Sequence, residues 1–216
     1  MLNWLRKSGH LPAMLAFAGI AIAAVSNVSG EEKSAPESKE HAAEKPADDG
    51  AGKTTEVTLK DLKLQLPESW KSAPNSSSMR LATYVIPAAE GDKETGELTV
   101  FNFNGGGGDL SANLTRWIGQ FSSEGRTVEL KKGKAGETVY YVADIAGTYQ
   151  KPVGPPILRH TTPAKGFRML GVVIELEGQG VYYLKLVGPD ATVKAQAENL
   201  RKSFGGSADG EQEYQI

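Results

Sequence analysis

Residues 169–187 read Met169-Leu170-Gly171-Val172-Val173-Ile174-Glu175-Leu176, then Glu177-Gly178-Gln179-Gly180, then Val181-Tyr182-Tyr183-Leu184-Lys185-Leu186-Val187. In an extended chain successive side chains alternate between faces. Leu170, Val172, Ile174 and Leu176 therefore share one face, and Met169 and Val173 lie on the other. A strand that is apolar on both sides belongs in the middle of a sheet with both faces covered. Val181–Val187 is a further strand, marked by the Tyr182-Tyr183 pair.

Working outward from this pair, Thr127–Lys131 and Thr138–Thr148 read as strands on the N-terminal side. Downstream, a helix starts at Pro189-Asp190 with Asp190 as its expected N-cap. Val193, Ala197, Leu200 and Phe204 fall on one face of it. Arg201 and Lys202 suit its C-terminal dipole, and Gly205 its stop. Further upstream, Leu110, Leu114, Trp117, Ile118 and Phe121 line one face of a second helix over Asp109–Ser123, entered from Gly105–Gly108. Met79–Ile86 and Leu98–Phe103 are strands separated by a polar turn over Glu90–Gly96. Val57–Leu66 reads as a strand whose parity slips at Lys60-Asp61, where a bulge or a turn restores a single inward face. The order β-β-β-α-β-β-β-β-α has too few helices to connect parallel strands. The fold class is α+β, a mostly antiparallel sheet flanked by helices.

Three segments carry a resemblance: Leu66-Pro67-Glu68-Ser69-Trp70, the helix stretch Ala112-Asn113-Leu114-Thr115-Arg116-Trp117-Ile118-Gly119-Gln120-Phe121, and Val187-Gly188-Pro189 leading into Asp190-Ala191-Thr192-Val193. With the elements so placed, residues 57–204 resemble the PsbP-like fold family, and most of all its uncharacterised exported bacterial members. The family also contains extrinsic photosystem proteins and small-GTPase-binding proteins. The resemblance implies an antiparallel sheet sandwiched between helices, and a binding or accessory role with no shared catalytic site.

Composition divides the chain into four parts. Residues 1–30 follow an export pattern: Arg6 and Lys7 precede a 15-residue apolar run, Leu11–Val25, and small residues follow. As a helix that run is about 22 Å long at ~1.5 Å per residue, short for a bilayer core of ~30 Å. It reads as a signal peptide cleaved before Glu31 or near Asn27, or else as an uncleaved N-terminal anchor. Residues 31–56 contain no Val, Leu, Ile or aromatic side chain and carry four Lys against eight Asp/Glu, the composition of a disordered acidic linker. Residues 57–204 form one domain with 18 Lys/Arg against 15 Asp/Glu. Residues 205–216 add three acidic residues and read as a disordered acidic tail, with Tyr214 and Ile216 its only means of docking. The expected location is periplasmic or extracellular, or membrane-tethered through residues 11–25 if the segment is retained.

The chain has no cysteine, which removes thiol catalysis, thiolate metal sites, disulfides and a lipid-modified N-terminal cysteine. With no basic run longer than Lys131-Lys132, the domain is no reader of nucleic acid. His160 is the only histidine of the domain, so neither a metal site nor any other cofactor is implied. Gly105–Gly108 matches neither the spaced glycines of dinucleotide binders nor a phosphate loop, and reads as a flexible strand-to-helix connection.

Two sets of residues are candidates for binding. Asn113, Arg116 and Gln120 make a polar stripe beside the apolar face of the first helix. A guanidinium flanked by two amides there can hold a carboxylate or phosphate, or can bond neighbouring loops. Lys151–Gly166, with Pro152, Pro155, Pro156 and Pro163, reads as a long loop whose Arg159, His160 and Lys165 give it a basic character. The reading is thus a non-enzymatic binding or accessory domain for a protein or a small anionic ligand. The alternatives are an enzyme with a dispersed acid–base site, which needs Asp144, Glu175 and Arg116 in one cleft, and a structural envelope component.

Overall fold

The apolar positions of period two place ten strands, and those of period 3.6 two helices, among the residues described by the computed structural model: 52–103, 108–154, 158 and 160–216. The export segment, residues 31–51 of the linker, Gly105–Gly107, Pro155, Pro156 and Arg159 lie outside them. In chain order the elements are β1 Thr54–Leu59, β2 Leu62–Pro67, β3 Lys71–Ala73, β4 Arg80–Ile86, β5 Gly96–Asn102, α1 Leu110–Ile118, β6 Thr127–Ala135, β7 Thr138–Pro152, β8 Thr161–Leu176, β9 Gly180–Pro189, α2 Asp190–Ser203 and β10 Gln212–Glu213. The fold is α+β. β10-β6-β7-β8-β9-β5-β4-β3 form one antiparallel sheet in that order, and β1 pairs with β2 alone.

The parity slip at Lys60-Asp61 is a hairpin turn, with Lys60 in the left-handed region at φ 55°. The turn sets Leu59 opposite Leu62 and Val57 opposite Leu64, so both strands present one apolar face. That face packs with α2 on one side of the large sheet. Leu64, Trp70, Ile86, Leu98, Tyr140, Val172, Leu184, Val193 and Leu200 are buried there in a single core. Trp70, from the Leu-Pro-x-x-Trp segment, is tied to α2 by its indole N–H, which donates to Gln196 Oε1 at 3.1 Å.

The opposite face is covered differently. α1 lays Leu114 and Trp117 onto Tyr141, Ala143, Met169, Val173 and Tyr183 to make a second core. Gly171 makes this approach possible: a Cβ there would lie 2.5 Å from the Trp117 ring. β8 is therefore buried from both sides, as its two-sided apolar pattern requires. α1 is only nine residues long, however, and leaves part of this face open.

The chain has two more strands before α1 and one more after α2 than the expected order, α1 stops at Ile118 rather than Ser123 because Gly119 caps it, and four further expectations need correction. Thr54–Glu56 belong to β1 rather than to the linker, because they pair with Gln65–Pro67. The tail is not disordered. Arg201 draws Glu211 into a buried two-pronged ion pair at 2.7 and 3.0 Å, β10 pairs with β6, and Tyr214 stacks on Tyr141 at 5.0 Å. Asp190 is not the N-cap of α2: Pro189 occupies that position, and Asp190 instead accepts from Arg168 Nε at 2.7 Å and Lys194 Nζ at 2.8 Å. Finally, Lys151–Gly166 is mostly ladder, with Lys151 opposite Thr162 and Pro152 opposite Thr161. β9 reaches only to Phe167, so this stretch of β8 is an edge, where a proline such as Pro163 loses no hydrogen bond.

Candidate functional site

The expected site residues are not gathered at one place. Asn113 is buried, and its side-chain amide donates to Asp109 O at 3.0 Å and to Tyr183 Oη at 3.4 Å. Its Oδ1 accepts from Arg116 Nη2, and the Arg116 side chain lies in solvent. Gln120 lies beyond the end of α1 and turns away from that pair. His160 is exposed at the β7–β8 hairpin tip, where its carbonyl accepts from Val153 N at 2.9 Å. The acid–base alternative fails on register. Asp144 and Val139 are five residues apart on β7 and so point to opposite faces; Glu175 pairs with Val139 and shares its face. Asp144 is locked against Arg168 on the α2 side, although burial pushes its carboxyl pKa up.

What the sheet does build is a cleft on its α1 face, beyond the C-terminal end of that helix. Its volume is about 650 Å3, within the range of small-molecule sites. The floor follows from register. Thr99 lies opposite Lys185, and Val85, Glu97 and Val187 form the next cross-strand row. Arg80, Lys93, Glu94, Lys151, Tyr149 and Phe167 complete the walls. Tyr149 and Phe167 stack with ring centres 6.2 Å apart and planes 9° apart.

The helix end is sewn to β7, which fixes Gln120 beside this cleft. Gln150 N donates to Gln120 O at 2.8 Å, Ser122 N to Thr148 O at 2.9 Å, and Phe121 packs on Tyr149. From there Gln120 Oε1 accepts from Lys185 Nζ at 2.6 Å, and Tyr149 Oη accepts from it at 3.2 Å. The ammonium, 5.3 Å from the Tyr149 ring centre, sits at the hydroxyl end of the ring and not over its face. The dominant contact is therefore the hydrogen bond, not a cation–π attraction.

Lys185 makes no ion pair among the described residues. Burial pulls its amine down to about 8; Glu97 opposes this and Arg80 adds to it. Burial pushes the Tyr149 hydroxyl up to about 12, with Glu97 adding. At the rim Arg80 pairs with Glu97 at 3.2 Å and Lys151 with Glu94 at 2.6 Å. Both acidic residues are thus already neutralised, and Lys93 and Lys185 leave the cleft cationic. Exposed pairs of this kind contribute about 0–1 kcal/mol, so an incoming anion can exchange into them at little cost. The sequence did hold one signal for this site. Lys185 stands in phase with Tyr183 and Val187 inside a strand that is otherwise apolar on both sides.

No protein-family model matches the chain, and no curated protein matches it. Among solved structures it is similar to cyanobacterial PsbP from Synechocystis sp. PCC 6803, with 12% identity over 78% of this chain and 96% of that one, at a TM-score of 0.42. Among the described residues no helix is long and apolar enough to cross a membrane.

Proposed function

We propose that this chain is an exported binding or accessory domain, without turnover chemistry, whose cleft takes a small anion carrying an apolar or aromatic group. Export rests on the charged and apolar pattern of residues 6–25. The binding reading rests on one observation: the Lys185 ammonium lines an aromatic cleft and has no carboxylate partner among the described residues. A charge held in that position costs free energy unless an anion joins it. Phe101, Tyr149 and Phe167 supply the apolar surface that most small-molecule sites need, and the rim cations supply orientation.

Calorimetric titration with 1-naphthalenesulfonate tests this. Wild-type protein is expected to bind one equivalent, and Lys185→Met to weaken binding at least tenfold while keeping a cooperative melt. Equal affinity in the two proteins, or many weak sites in both, refutes the reading.

A further inference from the structure

We propose that Lys185 captures its ligand covalently: the cleft holds an anionic aromatic aldehyde or ketone, and the Lys185 amine condenses with its carbonyl carbon to a reversible imine. This rests on the binding reading above and goes beyond it by naming the reacting atom and the ligand's carbonyl.

The geometry that carries it has three parts. Lys185 lines the cleft, and it is held by two neutral acceptors, Gln120 Oε1 and Tyr149 Oη, instead of a carboxylate. A carboxylate would hold the nitrogen protonated far more strongly than these two neutral acceptors do. Tyr149, which holds the amine, stacks on Phe167, so the cleft lining beside Lys185 is aromatic. Lys151, Lys93 and Arg80 stand at the rim, where a carboxylate or phosphate on the far end of the ligand's ring would sit. A ligand whose anion sits among these rim cations and whose carbonyl reaches Lys185 would hold the reacting atoms together, which makes a bimolecular condensation effectively intramolecular. Desolvated lysines are the amines that form such imines, and the depressed value near 8 agrees with this.

The step is balanced without an outside reagent. The ammonium first gives one proton to solvent. The free amine attacks the carbonyl carbon and forms a C–N bond. The carbinolamine then loses its oxygen as water, leaving a C=N bond. Hydrolysis reverses it and releases the ligand. Burial keeps Tyr149 a phenol, so its O–H can donate to the departing oxygen and then take up the proton that the nitrogen loses.

The test treats the full chain with 4-formylbenzoate and cyanoborohydride, which reduces an imine to a stable secondary amine. Intact-mass measurement and peptide mapping follow, with benzoate titrated separately by NMR. The inference predicts one adduct, mapped to Lys185 and formed at least tenfold faster than at the exposed Lys132 or Lys202. Excess benzoate should slow it, Lys185→Arg abolish it and Lys132→Arg leave it unchanged. Adducts spread over surface lysines, with Lys185 no faster than they, overturn the covalent step. If benzoate nevertheless shifts the signals of Tyr149 and Phe167, the binding reading stands alone. If it shifts neither, both fall.

Discussion

The Lys185 ammonium donates to the Tyr149 hydroxyl at 3.2 Å, joining two groups that burial shifts in opposite senses of charge. Both prefer to be neutral: the lysine amine falls to about 8, and the tyrosine hydroxyl rises to about 12. The pair therefore leaves a signature in stability against pH. Between about 8 and ~10.4 the unfolded lysine binds a proton that the folded one has lost, so stability rises with pH. Between ~10 and about 12 the folded tyrosine keeps a proton that the unfolded one has lost, so stability falls. Denaturant melts from pH 7 to 12 should show the rise, worth at most about 3 kcal/mol and less where water reaches the cleft. Lys185→Met should abolish the rise and gain about 1 kcal/mol at pH 7. Tyr149→Phe should only reduce the later fall, because burial raises Tyr84, Tyr140 and Tyr183 too.

Trp117 and Gly171 test how closely α1 sits on the sheet. Trp117→Ala should cost about 3–5 kcal/mol by opening a cavity against Tyr183, Met169 and Val173. Gly171→Ala should cost about 1–3 kcal/mol by forcing the indole outward. Because the two act through one contact, the double variant should cost less than the sum, a coupling that a double-mutant cycle measures.

The amide and the guanidinium of the helix stripe should separate. Asn113→Ala removes a buried group bonded to Asp109 O and Tyr183 Oη, and should cost about 1–3 kcal/mol. Arg116 is exposed, and Arg116→Ala should change stability by no more than about 0.5 kcal/mol. Equal losses in thermal melts would show that the guanidinium, too, supports the fold.

The C-terminal segment should behave as part of the domain. The side chains of Arg201 and Glu211 are only 9% and 1% exposed. Glu211→Ala leaves a buried guanidinium unpaired, and should cost about 3–5 kcal/mol. A change under about 1 kcal/mol in chemical denaturation would mean that the tail is a loose cover on β6.

These elements were legible in the sequence to very different degrees. The two-sided apolar run Met169–Leu176, the stripe Leu114–Trp117 and the slip at Lys60-Asp61 are local patterns, and each has its counterpart in β8, α1 and the β1–β2 turn. Phe121 illustrates the limit of periodicity. It continues the helical stripe, yet Gly119 ends α1, and Phe121 is extended in a bridge to Tyr149. The order of the C-terminal segment was hidden because Glu211 looks like any solvated acid until Arg201, ten residues earlier, is seen to need it. The cleft was hidden for the same reason on a larger scale. Thr99, Tyr149, Phe167 and Lys185 come from four strands and meet only through register. The prolines of 152–163 masked the ladder that carries Lys151 to its rim, since a sequence does not say which stretch of a strand is an edge.

The central claim is that the cleft around Lys185 is a binding site for an aromatic anion, and an NMR titration of wild-type protein with benzoate tests it most directly. The account predicts saturable shifts confined to Thr99, Phe101, Tyr149, Phe167, Lys185 and Val187, lost in Lys185→Met. Shifts that track Arg116 and His160 while leaving those six unmoved, or shifts that never saturate, would contradict it.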